Sequence, residues 1–375
     1  SRETKVGVFP VKAPSLEVVT VGAGGGSIAH VPLTGALRVG PQSAGSEPGP
    51  ACYSRGGDNP TVTDANVVLG YLPPSLIGGE MRLHVEAAKQ SVGKIAEKLG
   101  IDLYRAAKGI YDIVNENMYG AIRVVSVEKG YDPRQFALLA LGGAGPLHGN
   151  ALGRLAGSFP VIVPPTPGVL SALGFLQSDI RNEYSKTFIR TLSQLKSSLL
   201  VSELMELGDQ AAAWLEQEQV LPHHQKLVYE VDIRYFRQGY EIPISIKSEE
   251  LVEGLHLLKE RFDDIHEKIY GFKMDIEVEI VNLRAVAIGK VVSPSLPVAE
   301  PGGEDASCAV LDPDHEAFFD GQFVKTPLYD REKLRPNNKV FGPAIITQKD
   351  STTLVLPGFV AEVDQWMNLL ISEEV

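Results

Sequence analysis

Cysteine is scarce. The 375 residues hold two, Cys52 and Cys308, far apart and making no Cys-x-x-Cys pair. A disulfide framework is therefore not what holds the chain together, and a reduced, cytoplasmic protein is the expectation. A basic excess is also missing: 35 Lys and Arg stand against 47 Asp and Glu, for a net charge of −12. Without a basic stripe, nucleic acid and anionic membrane surfaces are not expected partners. No apolar run reaches the roughly 18 residues that a membrane helix needs. The first ten residues, SRETKVGVFP, lack a Met and form neither a signal peptide nor a transit sequence, so a processed or partial chain beginning in mid-domain is expected. There is no internal repeat. The 37 glycines and 25 prolines cluster without repeating, which excludes a low-complexity chain. With 44% apolar residues, two or three domains can each bury a core.

What is present begins with short alternating segments. KVGVFPV, LEVVTVG, SIAHVPL and ALRVG fill residues 1–40 and, broken by Gly, Pro and Thr-Gly, read as hairpins. A Gly- and Pro-rich loop follows at 41–62, then a short helix from Val62 to Leu72 with Thr63 as its N-cap. Residues 83–99 and 102–129 are expected as amphipathic helices. In the second, Leu103, Ala106, Ala107, Ile110, Ile113, Val114, Met118 and Ile122 fall near the 3.6 period, between Asp102 as N-cap and Gly130 as C′ residue. FALLALGGAGPLHG (136–149) reads as a buried strand, a glycine turn and a helix. FPVIVPPTPGVLSALGF (159–175) repeats strand and helix. Beyond about residue 180 a helix at 192–220, two strands at 226–246, a helix at 248–268 and a strand at 276–290 make a small α+β unit. Residues 292–307 have linker composition. The remainder, 308–375, is strand and turn, with FFDGQF as an Asp-Gly hairpin signal. The expected class is α/β, divided at 1–188, 189–295 and 296–375.

Four motifs can carry chemistry. In LALGGAGPLHG, Gly142, Gly143, Ala144 and Gly145 let a ligand approach the backbone where a helix N-terminus offers free N–H groups. It lacks the acidic ribose partner of a Rossmann turn and the Lys of a Walker loop, and tight strand-to-helix packing explains it equally well. Gly24, Gly25, Gly26 and Ser27 in VGAGGGSIAHV are either a relaxed turn or a row of amides lining an anion or substrate pocket. Asp64 heads a helix, where capping alone accounts for it; a catalytic or metal-binding carboxylate is the sharper reading. Cys52, within VGPQSAGSEPGPACY (39–53), is a nucleophile, a metal ligand or a small buried thiol. His148 is a general base, a ligand or a packed turn residue. The hairpin RYFRQGYEI carries no site, and His30, His84 and His315 are structural.

Read in order, GAGGGSIA (22–29), VGPQSAGSEPGPACY (39–53), TVTDANVVLG (61–70), LGGAGPLHG (141–149), RYFRQGYEI (234–242) and FGPAIITQKDSTTLVLPG (341–358) resemble the hydantoinase A / 5-oxoprolinase family. The resemblance covers nearly the whole chain. It implies an actin-like ATPase, or ribonuclease-H-like, lobe in 1–188, then a small α+β domain and a C-terminal all-β domain. It implies ATP with Mg²⁺ or another divalent metal, with Gly142, Gly143, Ala144 and Gly145 against the adenosine. Gly24, Gly25, Gly26 and Ser27 are further nucleotide contacts. Asp64 is the candidate metal ligand and, with Cys52 and His148, a catalytic candidate. The family's GxDxGGTxTD opening and its later GGTS-type turn are absent, so the chain resembles the C-terminal half of a longer member. The implied activity is ATP-dependent opening of a cyclic amide or imide, by phosphorylation of its oxygen, within an oligomer that includes an upstream actin-like half and a hydantoinase B-type subunit. The alternatives are a subunit of an ATP-dependent ketone carboxylase, a non-catalytic nucleotide-binding subunit, and a sugar- or acid-kinase relative.

Overall fold

The computed structural model describes residues 4–6, 9–11, 18–247, 255–292 and 298–374, and the chain is a mixed α/β protein. It divides into two compact units: residues 1–171 with 296–375, and residues 172–295.

The first unit is organised by four helices, α1 (Val62–Val68), α2 (Val85–Leu99), α3 (Leu103–Val125) and α4 (Gly145–Ala156). Ala88, Val92, Ile95 and Ala96 of α2, and Ala106, Ala107, Ile110 and Val114 of α3, recur at helical spacing and are buried. They share one core with α1 and with the C-terminal strands. Asp102 caps α3 by accepting from the amides of Tyr104 and Arg105, as its sequence position indicates. The helix stops at Val125, and Gly130 instead closes a separate 3₁₀ turn.

Three corrections to the local reading follow. The KVGVFPV segment pairs Thr4–Val6 with Phe9–Val11 as an antiparallel hairpin, and strand is found at Ser27–His30 and Arg38–Ser43, but not over 18–22 of LEVVTVG, whose residues 16 and 17 lie outside the described residues. Helix α1 ends at Val68, short of Leu72. Its N-cap is Thr61, whose hydroxyl takes the Asp64 amide in a capping box with the Asp64 side chain. Thr63 bonds Gly25 O through both its amide (2.8 Å) and its hydroxyl (2.9 Å).

Residues 296–375 do not stand apart as a domain. Strands Lys339–Phe341, Phe359–Val363 and Leu369–Glu373 join Val161–Val163 and Leu138–Leu139 in one five-stranded sheet. The strand Val161–Val163 is apolar on both faces, so it must be covered on both and cannot end a separate lobe. Buried Arg331 ties this sheet down, with Nη2 donating to the carbonyls of Val163, Pro164 and Met367. Burial pulls its guanidinium down to about 10. A second sheet orders Val310–Asp312, Leu328–Asp330, Ala344–Thr347 and Thr352–Val355, and the FFDGQF hairpin pairs Glu316–Phe319 with Gln322–Lys325.

Helix α4 lies close against the strand Val161–Val163. A Cβ at Gly153 would stand 2.4 Å from Val161 Cγ2 and 3.1 Å from Ser158 O. Val161 is β-branched and buried, so it cannot turn aside. Gly153→Ala is expected to lower stability by about 1–3 kcal/mol, read as a fall in denaturation midpoint with unchanged m-value.

The second unit is a four-stranded antiparallel sheet in the order Ile242–Ile246, Gln225–Tyr235, Val278–Gly289, Ile180–Thr191. Two helices cover it, α6 (Ser197–Gln217) through Leu200, Leu204, Leu207, Ala211 and Leu215, and α7 (Leu255–Tyr270) through Leu258 and Phe262. Helix α5 (Leu170–Gln177) precedes the sheet. Of the helix expected at 248–268, residues 248–254 lie outside the described residues, as do 293–297 of the linker. The RYFRQGYEI hairpin is a packing hub. Arg234 pairs with Glu279 at 2.7 Å, Tyr235 OH donates to Asp263 at 2.8 Å, and Gln238 Nε2 meets buried His266 Nε2 at 3.1 Å. Arg237 within the hairpin has φ +65°.

Candidate functional site

Asp64 is fully buried at the start of α1. Its Oδ1 accepts from Cys52 N at 2.8 Å. Its Oδ2 accepts from Ala51 N (3.2 Å), Thr61 N (3.0 Å) and Thr61 Oγ1 (2.8 Å). The 39–53 loop is thereby fastened to α1, and Cys52 O in turn accepts the His84 amide ahead of α2. On the other side, Gly25 O takes the two bonds from Thr63, and Gly26 O takes the Ala44 amide. The proline- and glycine-rich stretch is thus an ordered internal wall.

These ties shape a cavity of about 300 Å³. Bare backbone at Gly25 and Gly26 forms one side. Tyr53, Thr63 and Asn66 continue it, and Gly143, Ala144, Leu147 and His148 from the start of α4 close the opposite side. The turn Gln348–Ser351, between the strands Ala344–Thr347 and Thr352–Val355, completes it. Asp350 holds that turn by accepting from Gly168 N (2.8 Å) and Gln348 Nε2 (2.6 Å).

His148 is 1% exposed. Its Nδ1 lies 2.9 Å from Asn115 Oδ1, and its ring stacks on Tyr111 at 5.3 Å. With the Asn115 carbonyl oxygen facing the ring, Nδ1 donates and Nε2 is the acceptor. Burial pulls the imidazole down to about 4, which keeps it neutral at physiological pH.

Of the residues singled out in the sequence, Gly25, Gly26, Gly143, Ala144 and His148 come together here, while Gly24, Ser27, Gly142, Gly145, Cys52 and Asp64 do not line the cavity. Ser27 Oγ is used locally, accepting the Gly24 amide. Cys52 is fully buried, and burial, reinforced by the charge of Asp64, pushes its thiol well up. A thiolate nucleophile needs the opposite environment, so Cys52 is a packed thiol. Asp64 is engaged four times over and acts as a structural carboxylate. Sequence reasoning missed Asn66, Asn115 and the 348–351 turn. The signal is a polar run, TQKDST, between two apolar segments, which reads only as part of the strand-and-turn tail and of a family motif.

The metal reading does not fit. Among the described residues no three His, Cys, Asp or Glu side chains converge as a cation site requires, and the carboxylate of Asp64 is filled by protein donors. A nucleotide does fit. Gly142 has φ +84°, a backbone conformation that favours glycine, and no atom within 4 Å of where its Cβ would lie. Half-exposed Gly145 and buried Pro146 then open a twelve-residue helix; Pro146 has no amide proton and Leu147 N donates to Ala144 O at 3.2 Å, which leaves the Gly145 amide for an anion.

Comparison with known proteins places this α/β architecture. The acetone carboxylase nucleotide-free structure superposes with TM-score 0.84 over 98% of this chain and 54% of its own, at 24% identity. The crystal structure of ATP-dependent caprolactamase from Pseudomonas jessenii superposes with TM-score 0.76 at 34% identity, over 98% and 54% of the two chains. In sequence, the caprolactamase subunit alpha of Pseudomonas jessenii is 36% identical over 95% of this chain and 52% of its own. The acetophenone carboxylase gamma subunit of Aromatoleum aromaticum is 33% identical over 92% and 49%. The Hydantoinase/oxoprolinase pattern matches residues 1–184 and the Hydantoinase/oxoprolinase C-terminal domain matches 192–374. The chain belongs to the hydantoinase/oxoprolinase family, and it spans about half the length of the relatives just described. Among the described residues no helix is long and apolar enough to cross a membrane.

Proposed function

We propose that the chain is the C-terminal half, or a subunit, of an ATP-dependent enzyme that opens a cyclic amide or imide. The carrying observation is one cavity lined both by the sparse backbone of Gly25, Gly26, Gly143 and Ala144 and by a neutral acceptor, His148. The similarity to caprolactamase supports the choice of substrate class. An amide resists hydrolysis because resonance strengthens its C–N bond. Converting its oxygen into a leaving group lifts that resistance, and the chemistry ATP supplies when bound is the phosphoryl group for that oxygen. Gly142, Gly143, Ala144 and Gly145 would hold the nucleotide on the outer side of the α4 turn, within an actin-like fold. Backbone groups at Gly25 and Gly26 would stabilise charge gathering on the amide oxygen. His148 would orient the ring, and the enclosing loops would exclude water from it. Metal ligands are left to the upstream half, and a hydantoinase B-type subunit is the expected hydrolytic partner.

The test is phosphate release from Mg-ATP by this chain, alone and mixed with the corresponding upstream half. Each sample is challenged with 5-oxoproline, hydantoin, caprolactam, and acetone with bicarbonate. Turnover is expected only in the mixture and only with a cyclic amide or imide. Turnover with acetone and bicarbonate would instead assign the carboxylase branch, which the acetophenone carboxylase similarity keeps as the second reading. Background release throughout would leave a nucleotide-binding subunit.

A further inference from the structure

Four residues that line the cavity each carry one buried polar atom without a protein partner: His148 Nε2, Asn66 Oδ1, Gln348 Oε1 and Ser351 Oγ. Native interiors leave few such atoms, and several in one cavity mark a place completed by a ligand. Two of them are set by their neighbours. Nε2 of His148 is a bare lone pair because its Nδ1 proton is engaged with Asn115 Oδ1 at 2.9 Å. The ring cannot turn to another partner, being 1% exposed and stacked on Tyr111. Gln348 is oriented by its Nε2, which donates to Pro165 O (2.9 Å) and Asp350 Oδ1 (2.6 Å), so Oε1 is left over. Asn66, 1% exposed in α1, lines the same cavity. At about 300 Å³ the space sits at the small end of ligand sites, a size for one ring with its substituents and not for a whole nucleotide.

We propose that His148 Nε2 accepts the ring N–H of a secondary cyclic amide, with Asn66 and Gln348 lining the same space, which makes His148 a specificity-determining residue. This rests on the reading of the cavity as the substrate end of an amide-activating site. A ketone, or a lactam alkylated on nitrogen, brings no donor and leaves the buried acceptors unpaired. A site built to hydrogen-bond a donor rejects the analogue lacking it far more strongly than an apolar pocket separates ligands by size.

Calorimetric titration of the chain with caprolactam, N-methylcaprolactam and cycloheptanone, in the presence and absence of saturating ADP, tests this. The secondary lactam is expected to bind at least about tenfold more tightly than either analogue. His148→Phe, which keeps the ring stacked on Tyr111, is expected to abolish the difference, and Asn66→Leu to reduce it. Equal binding of the three, no binding of the lactam, or discrimination that survives in His148→Phe would overturn the proposal. So would a His148→Phe protein that loses ADP affinity while retaining the lactam preference, since the acceptors would then serve the adenine amino group. ATP-dependent ring opening is measured in parallel. Discrimination without turnover counts against the activity and supports the acceptor site, whereas turnover without discrimination does the reverse.

Discussion

Asp64→Ala is expected to unfold the first unit's functional wall, with no nucleotide, metal or substrate present. The substitution strips the acceptor from the amides of Ala51, Cys52 and Thr61 and from the Thr61 hydroxyl, all at a site with no solvent exposure. Leaving a buried donor unsatisfied costs about 1–3 kcal/mol, and loss of an N-cap interaction about 1 kcal/mol. The four bonds share one carboxylate, so their costs do not add in full. A net loss of about 3–5 kcal/mol is expected, a large part of a typical total of about 5–15 kcal/mol. In a domain of this size that amounts to roughly 10 °C in melting temperature. Asp64→Asn should lose somewhat less, because its amide oxygen still accepts, although its nitrogen must face a donor. A catalytic carboxylate predicts the opposite pattern: intact melting with turnover alone abolished. Differential scanning calorimetry of the free chain separates the two, and a wild-type melting temperature for Asp64→Ala would refute the structural role.

The same residue shows what a sequence can disclose. TVTDAN was legible as a helix start because Thr and Asp cap helices through their own backbone neighbourhood, a local effect. That the carboxylate also reaches back twelve and thirteen residues to Cys52 and Ala51 is non-local, and no spacing rule encodes it. The N-cap was misplaced by two residues for a related reason. Thr61 and Thr63 are equally good caps, and only the docking of Gly25 O against Thr63 decides between them. Helices α2 and α3 were readable from their apolar period, since each buries a single face. The C-terminal segment misled because its strands alternate like those of a free β domain. What joins it to the first unit is the pairing of Leu369–Ile371 with Val161–Val163, about 200 residues earlier in the chain. The glycine motifs were found, but the 348–351 turn that faces them was not, because polar residues in a hairpin turn are the ordinary case. Asn115 was hidden in the same way: one polar residue on the buried stripe of α3, meaningful only once His148 is placed beside it.

A second large effect is expected on acidification, and it falls on that histidine. In the folded chain burial holds His148 at about 4, against an ordinary value of 6.5. Between those two values the unfolded chain carries a proton on this ring and the folded chain does not, so protonation favours unfolding. Stability contributed by the neutral ring is therefore complete above about pH 6.5, declines as pH falls toward 4, and declines no further below it. The separation corresponds to about 3 kcal/mol at 1.36 kcal/mol per unit, of which about 2 kcal/mol is lost between pH 7 and pH 4.5. Tyr111, which stacks on the ring, is pushed further up by its own burial and does not titrate in this interval. Urea unfolding at pH 7 and pH 4.5 should show a drop in wild-type stability that is smaller by about 2 kcal/mol in His148→Phe. An identical drop in both proteins would mean that the ring is not held neutral by burial. The same electrostatics bear on function. A histidine of ordinary basicity acting as a general base gives an inflection near pH 6.5. An acceptor already neutral at that pH gives none, so lactam affinity is expected to stay level from pH 5.5 to 8 and to weaken only where the ring finally takes its proton.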